Sequence, residues 1–316
     1  MTTAPEPTVR TAAIAAWGSA LPDRIITNAE LVGRLDTTDD WIVERTGIRE
    51  RRMGGTTSEL AAKAARQALD HGGYAAEHID LLVLATSTPD AIMPATAVTV
   101  AAALGLHCGT FDLNGACSGF VYALAAANGL VVSGLDRVLV IGADVITSIV
   151  DHNDRSTAVL FGDGAGAVVL EASAGPAGML GFDAGTDGTS RSLLFAESGS
   201  KLMMDGKEVF RRAVRATVDS ANSALERAKV SASEIALFVP HQANLRIIQA
   251  ACERLGIPEE RASLMVERTG NTSAASIPLA LAEVADAGGL HDGDLVLFSG
   301  FGAGMSWASA VWRWGR

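Results

Sequence analysis

Apolar residues recur along this chain in two rhythms that take turns. In "SELAAKAARQALDHGGY" they return every three or four positions, the spacing of an amphipathic helix, and Ser58 stands where a cap belongs. In "IDLLVLATST" and "DRVLVIGADV" they run unbroken for a few residues, as strands covered on both faces do. Between those strands, "ACSGFVYALAAANGL" predicts a helix. "STAVLFGDGAGAVVLEAS" reads as two strands around a glycine-rich turn.

Past residue 174 the order returns. "VFRRAVRATVDSANSALERAKV" is a helix and "EIALFVPHQ" a strand. "NTSAASIPLALAEVADAGGL" is a helix opened by small polar residues, and "GDLVLFSGFGAGMSW" goes back to a strand. "ACSGFVYALAAANGL…DRVLVIGAD" runs almost in step with "SAASIPLALAEVADAGGL…GDLVLFSGF". An α/β fold built from a duplicated β-α-β unit follows, with halves at residues 1–174 and 175–316. Right-handed crossovers predict a mostly parallel sheet in each half, with sites beyond the carboxyl ends of strands and at helix N-termini.

Composition narrows the class. Of 316 residues, 48% are hydrophobic and 5% aromatic, and 33 are Gly, the mix of an α/β enzyme with a large core. Three cysteines make no disulfide framework and point to a reducing compartment. The start carries no basic segment leading an apolar one, and no apolar run is long enough for a membrane span, so a soluble, cytoplasmic chain is expected. A net charge of −11 disfavours nucleic-acid binding, which rests on neutralising phosphates.

Candidate chemistry begins at Cys117. Gly115, Ala116, Ser118 and Gly119 free the backbone around it, and a helix N-terminus favours thiolate through its macrodipole, so an exposed nucleophile is expected. Packing as a small hydrophobe is the competing role, and the one expected of Cys108 and Cys252. His241 ends an apolar strand in "ALFVPHQANLRII", at the edge equivalent to "LATSTP" in the first half. Asn271, in "RTGNTSAAS", precedes Thr272 and Ser273, which are placed to cap the next helix, and offers a neutral donor at the same edge. "FGDGAGAVVL" runs into a strand instead of opening a helix, so a dinucleotide site is not expected. No metal site is expected either, since the cysteines lack zinc-ligand spacing.

With "WIVERTGIRERR", "ACSGF", "FGDGAGAVVL", "VPHQANLRII", "GNTSAAS" and "FGAGMSWASA" in this order, the chain resembles β-ketoacyl-acyl-carrier-protein synthase III, a condensing enzyme of the thiolase superfamily, over essentially its whole length. The resemblance implies a thiolase-like five-layer αβαβα sandwich and a Cys-His-Asn site at Cys117, His241 and Asn271. It implies an acyl-Cys117 intermediate formed from acyl-CoA, then decarboxylation of malonyl-ACP and attack on that thioester. The oxyanion hole would use backbone N–H groups of Cys117 and Ala303, where the family often carries Gly. Trp41, Arg45, Arg155, Thr37 and Asn244 would contact CoA. Arg211, Arg246 and Arg254 would face the acidic acyl carrier protein. Met93 would enter the acyl pocket of a neighbouring subunit in a homodimer, whose interface the helix after Cys117 would support. No cofactor is bound permanently, and acyl-CoA is a substrate.

An acyltransferase or priming ketosynthase of a natural-product pathway, passing the acyl group to another acceptor, is the alternative. Asn271 favours carbon–carbon bond formation over it. Thiolase proper is disfavoured because "FGAGMS" holds no second cysteine, and a hydroxymethylglutaryl synthase because no catalytic Glu is evident.

Overall fold

Residues 10–315 are described by the structure, a computed structural model of the chain. Its first seven strands are β1 (Thr11–Ala20), β2 (Ile25–Thr27), β3 (Glu50–Arg52), β4 (Leu81–Ala85), β5 (Gly109–Leu113), β6 (Arg137–Asp144) and β7 (Gly164–Ser173). Then come β8 (Gly178–Thr186), the short β9 (Leu194–Phe195) and β10 (Met203–Met204), β11 (Ile235–Pro240), β12 (Leu295–Gly302) and β13 (Ser306–Arg313).

Two sheets repeat one plan. The first has the order β1-β7-β6-β4-β5 and the second β8-β13-β12-β11. In each, one pair is parallel (β4 with β6, β11 with β12), the next strand returns antiparallel (β7, β13), and an antiparallel edge strand follows (β1, β8); the first sheet adds β5, parallel to β4. The sheets are therefore mixed, where mostly parallel ones were expected. Residues 303–305 alone join β12 to β13, and a parallel crossover needs a dozen residues or more. A second departure is "STAVLFGDG": Arg155–Ala158 is a helical turn capped by Asp154, and only Gly164–Ser173 is a strand.

Five layers follow from which side chains each strand sends to each face. From β6, Val138 and Val140 join the core between the sheets, while Leu139 and Ile141 point outward; from β12, Val296 and Phe298 face inward and Leu297 outward. The middle layer is the helix pair Gly119–Val132 and Ser276–Asp286, packed through Phe120, Leu124, Ile277 and Leu281. Helices Thr57–Gly72 and Thr96–Leu104 cover the outer face of the first sheet, and Gly206–Ala228 and Leu245–Leu255 that of the second. A side chain as deeply buried as Leu124 or Phe298 contributes roughly 1.5–3 kcal/mol over exposure. Cys252 lies in this packing.

Two helix starts differ from the sequence pattern. Thr56, not Ser58, caps Thr57–Gly72 in a reciprocal pair with Glu59. Thr272 and Ser273 cap nothing: the helix from Ser276 has no side-chain cap, and the Thr272 hydroxyl is buried without a partner among the described residues.

The candidate active site

Cys117 sits in the middle of a single 3-10 turn, Ala116–Ser118, that leads straight into the helix Gly119–Val132. Ala116 takes the left-handed conformation at φ 49°, and its N–H is held at 3.1 Å by the Asn114 side-chain oxygen. From the other half, the end of β12 lies directly on the turn. A Cβ added to Gly302 would come within 2.6 Å of the Cys117 nitrogen, so only glycine permits this approach. The thiol is 9% exposed and lies 3.5 Å from the Ser273 hydroxyl. Burial pushes it up to about 12, outweighing the Ser273 contact. The sulfur expected to be exposed at a helix N-terminus is thus buried, and its desolvation raises the thiol above the ordinary cysteine range.

His241 follows β11 directly, and its N–H donates to the Ser299 carbonyl of β12 at 2.8 Å. Its ring meets the Phe301 ring edge-on, with centroids 5.3 Å apart. Nδ1 lies 2.7 Å from the Ser276 hydroxyl. Burial lowers the imidazole to about 3, so it is neutral at physiological pH. Gln242 fixes the loop beyond: its amide N donates to the Pro240 and Ser263 carbonyls, and its oxygen accepts from the Met265 and Val266 amides.

Asn271 is anchored by backbone alone to the strand-like segment at Phe161, its N–H donating to the Leu160 carbonyl and its carbonyl accepting from Gly162. Arg51, buried beneath that segment, donates twice to the Val159 carbonyl. The Asn271 side-chain oxygen accepts from the Ser273 N–H at 2.9 Å, which leaves the side-chain NH2 without a partner among the described residues.

Cys117, His241, Asn271 and Ala303 all line one cavity of about 780 Å³, together with Trp41, Arg45, Asn244, Arg211 and Arg246. Much of its wall is apolar, including Ile146, Leu160, Phe161, Leu202 and Phe301. At one rim Arg155 lies over the Trp41 ring at 4.8 Å and Arg45 at 5.9 Å. Arg246 lies over Phe210 at 5.5 Å, and Arg211 pairs with Glu208. Asn244 caps the helix Leu245–Leu255 and donates to the Arg45 carbonyl, so much of its hydrogen-bonding capacity is already committed. Arg155, Thr37, Arg254 and Met93 do not line the cavity. The Thr37 hydroxyl is buried without a partner among the described residues, and Met93 is 78% exposed on the chain's own surface.

Comparison with known proteins places this geometry. Residues 111–188 match the family model described as 3-oxoacyl-[acyl-carrier-protein (ACP)] synthase III, and residues 225–314 match the one for its C-terminal part. A β-ketoacyl-[acyl-carrier-protein] synthase III of Roseiflexus castenholzii is 46% identical over 96% of this chain and 98% of its own. The chain belongs to the synthase III family. The crystal structure of the family's enzyme from Aquifex aeolicus superposes with a TM-score of 0.94 at 42% identity, covering 96% of this chain and all of that one. The priming β-ketosynthase of the R1128 polyketide biosynthetic pathway does so at 0.92 and 39% identity, covering 96% of each. The thiolase-like layering is thus the family's own fold.

Of four side chains around the site, Ser273 was read from the sequence only as a helix cap, and Ser276, Phe301 and Asp144 escaped that reading. The first two lie inside "SAAS", three residues apart as helix neighbours are. Asp144 ends β6, and its carboxylate accepts from the Ala274 N–H at 3.0 Å and from Thr86, Ser87 and Thr88. The repeat is the signal that would have found it, since the end of β6 corresponds to the end of β12.

Proposed function

We propose that the chain carries out the decarboxylative Claisen condensation of an acyl-CoA starter with malonyl-ACP, giving a 3-oxoacyl-ACP and initiating fatty acid or polyketide chains. One observation carries the reading: a cysteine, a neutral imidazole and a carboxamide with free N–H groups open together on one largely apolar cavity.

In the first stage the Cys117 sulfur attacks the acyl thioester. A new S–acyl bond forms, the bond to CoA breaks, and the thiol proton leaves with the CoA thiol. The backbone N–H groups of Cys117 and Ala303 have no backbone acceptor among the described residues, which supports their holding the oxyanion of this step. In the second stage malonyl-ACP loses carbon dioxide, and its carbanion attacks the Cys117 thioester and expels the sulfur as thiolate, which takes a proton from water to restore the thiol. Negative charge gathers on the malonyl thioester oxygen. A neutral His241 and the Asn271 NH2 both donate there, and a carboxylate in place of Asn271 would oppose the charge.

Trp41 with Arg45 and Arg155 forms the adenine clamp of this reading. Arg155 closes on Trp41 with no room for a base between, so its guanidinium swings off the indole as CoA enters. Thr37 and Asn244 lie nearby in support. Arg211 and Arg246 at the cavity, and Arg254 on the same helix as Arg246, face the acidic carrier protein.

The reading includes a homodimer. Ile92 and Met93, 95% and 78% exposed, stand beside the half-exposed Val98 and the edge strand β5, an apolar surface suited to a second copy. Met93 would then reach the partner's acyl pocket. The divided plan, residues 1–174 and 175–316, puts Cys117 in one half and His241 and Asn271 in the other. Three free cysteines suit a cytoplasmic setting. A polyketide-priming role is favoured as a second reading by the likeness to the R1128 priming β-ketosynthase.

The test is incubation with a panel of acyl-CoAs and malonyl-ACP, with products identified by mass. A 3-oxoacyl-ACP two carbons longer than the starter is expected. Acyl transfer to another acceptor with no loss of carbon dioxide would replace this reading with simple acyl transfer.

A further inference from the structure

We propose that Ser276 is a positioning residue that sets the tautomer of His241, holding the ring proton on Nε2 so that it faces the cavity. The inference rests on the condensing role just described, and its first test does not depend on it.

Ser276 opens the helix Ser276–Asp286 and is 1% exposed. Its hydroxyl has two neighbours: His241 Nδ1 at 2.7 Å and the backbone N–H of Gln242 at 3.3 Å, and no third partner among the described residues. A hydroxyl carries one proton to give and two lone pairs to receive with. The Gln242 amide can only donate, so it occupies a lone pair. If Nδ1 carried the ring proton it would donate to the other lone pair, and the buried Ser276 proton would have no acceptor. With Ser276 donating to an unprotonated Nδ1, every group is satisfied. Buried donors are rarely left unpaired, which selects the second arrangement.

The consequence falls on the chemistry. Burial keeps His241 neutral down to about pH 3, so the imidazole has a single proton and its position decides what the ring can do. On Nε2 it is a donor toward the cavity, where the enolate oxygen develops. On Nδ1 it would turn a lone pair toward that oxygen and oppose it. Phe301, set edge-to-face with the imidazole, offers no hydrogen bond that competes. In the first half the residue equivalent to Ser276 is Gly119, and no histidine follows the corresponding strand β4.

Nitrogen-15 NMR of histidine-labelled protein tests the assignment directly. Between pH 6 and 8 the His241 signals are expected to show a protonated Nε2 and an unprotonated Nδ1; the opposite pattern overturns the proposal. Ser276→Ala is expected to slow malonyl-ACP decarboxylation about 10-fold, less than the ~10²–10³ of losing a donor outright. Acyl transfer to Cys117 and the KM for malonyl-ACP should hold, and Ser276→Thr should restore the rate. An unchanged decarboxylation rate in Ser276→Ala contradicts the proposal. Failure of the wild-type chain to acylate Cys117 would sink the condensing role and leave the tautomer result standing.

Discussion

The turns Ala116–Ser118 and Ser273–Ala275 are the same structure made twice. Each is a single 3-10 turn, and each begins with a non-glycine residue in the left-handed conformation, φ 49° at Ala116 and 52° at Ser273. Two residues earlier each has an asparagine, Asn114 or Asn271, whose side-chain oxygen holds that residue's N–H. Each is met by a strand end from the opposite half. They differ in what that strand brings. At Ala274 the N–H is filled by the Asp144 carboxylate, while at Cys117 the corresponding strand end is Gly302, which has no side chain to offer. Duplication thus makes two turns that aim an N–H at the opposite half. One is plugged by the protein's own carboxylate; at the other the Cys117 N–H has no backbone acceptor among the described residues.

The comparison can be broken most severely by crowding the Cys117 turn. Gly302→Ala drives a Cβ to within 2.6 Å of the Cys117 nitrogen and displaces the turn that presents the thiol, and covalent acylation, read by intact mass, is expected to fall by at least ~10²–10³. Asn271→Ala should acylate normally yet lose ~10²–10³ in malonyl-ACP decarboxylation. Asn114→Ala, its counterpart, should keep decarboxylation within a few-fold, because its side chain serves the Cys117 turn alone.

Two weaker perturbations sharpen the contrast. The Cys117 thiol lies near 12, so its ionised fraction grows as pH rises. Alkylation by iodoacetamide should quicken about tenfold per pH unit from 7 to 9, roughly 10²-fold in all, without a plateau. A plateau near neutrality would mean a pre-formed thiolate. The smallest effect on the chemistry belongs to the plugged turn. Asp144→Ala should lower stability by at least about 1.5–3 kcal/mol, seen in denaturant unfolding, because the acceptors of several buried N–H and O–H groups are lost. Iodoacetamide labelling of Cys117 should change less than twofold.

The repeat that makes these comparisons possible was legible in the sequence. "ACSGF…IGAD" and "SAAS…SGF" keep step because both halves need a turn, a buried helix and a strand buried on both faces, and those needs restrict residue type strongly. The strand directions were not legible. An apolar run after a glycine reads alike whether the chain has crossed over or doubled back, and β7 and β13 double back. Nor was the state of Cys117: a helix N-terminus is visible in sequence, but the depth at which Gly302 and Ser273 bury the sulfur comes from the other half, more than 150 residues away. Ser276 and Asp144 were missed for the same reason. Each acts on a neighbour distant in sequence: Asp144 on Ala274 of the other half, 130 residues away, and Ser276 on His241 within its own half, 35 residues away.

Single-turnover mass spectrometry tests the central claim most directly. The protein is loaded with an acyl-CoA, freed of excess, and mixed with malonyl-ACP labelled with carbon-13 in its free carboxyl. The account predicts an acyl mass on the peptide holding Cys117, then its disappearance as labelled carbon dioxide leaves and unlabelled 3-oxoacyl-ACP forms in equal amount. Acyl mass on another residue, or product formed by Cys117→Ala at the wild-type rate, would contradict it.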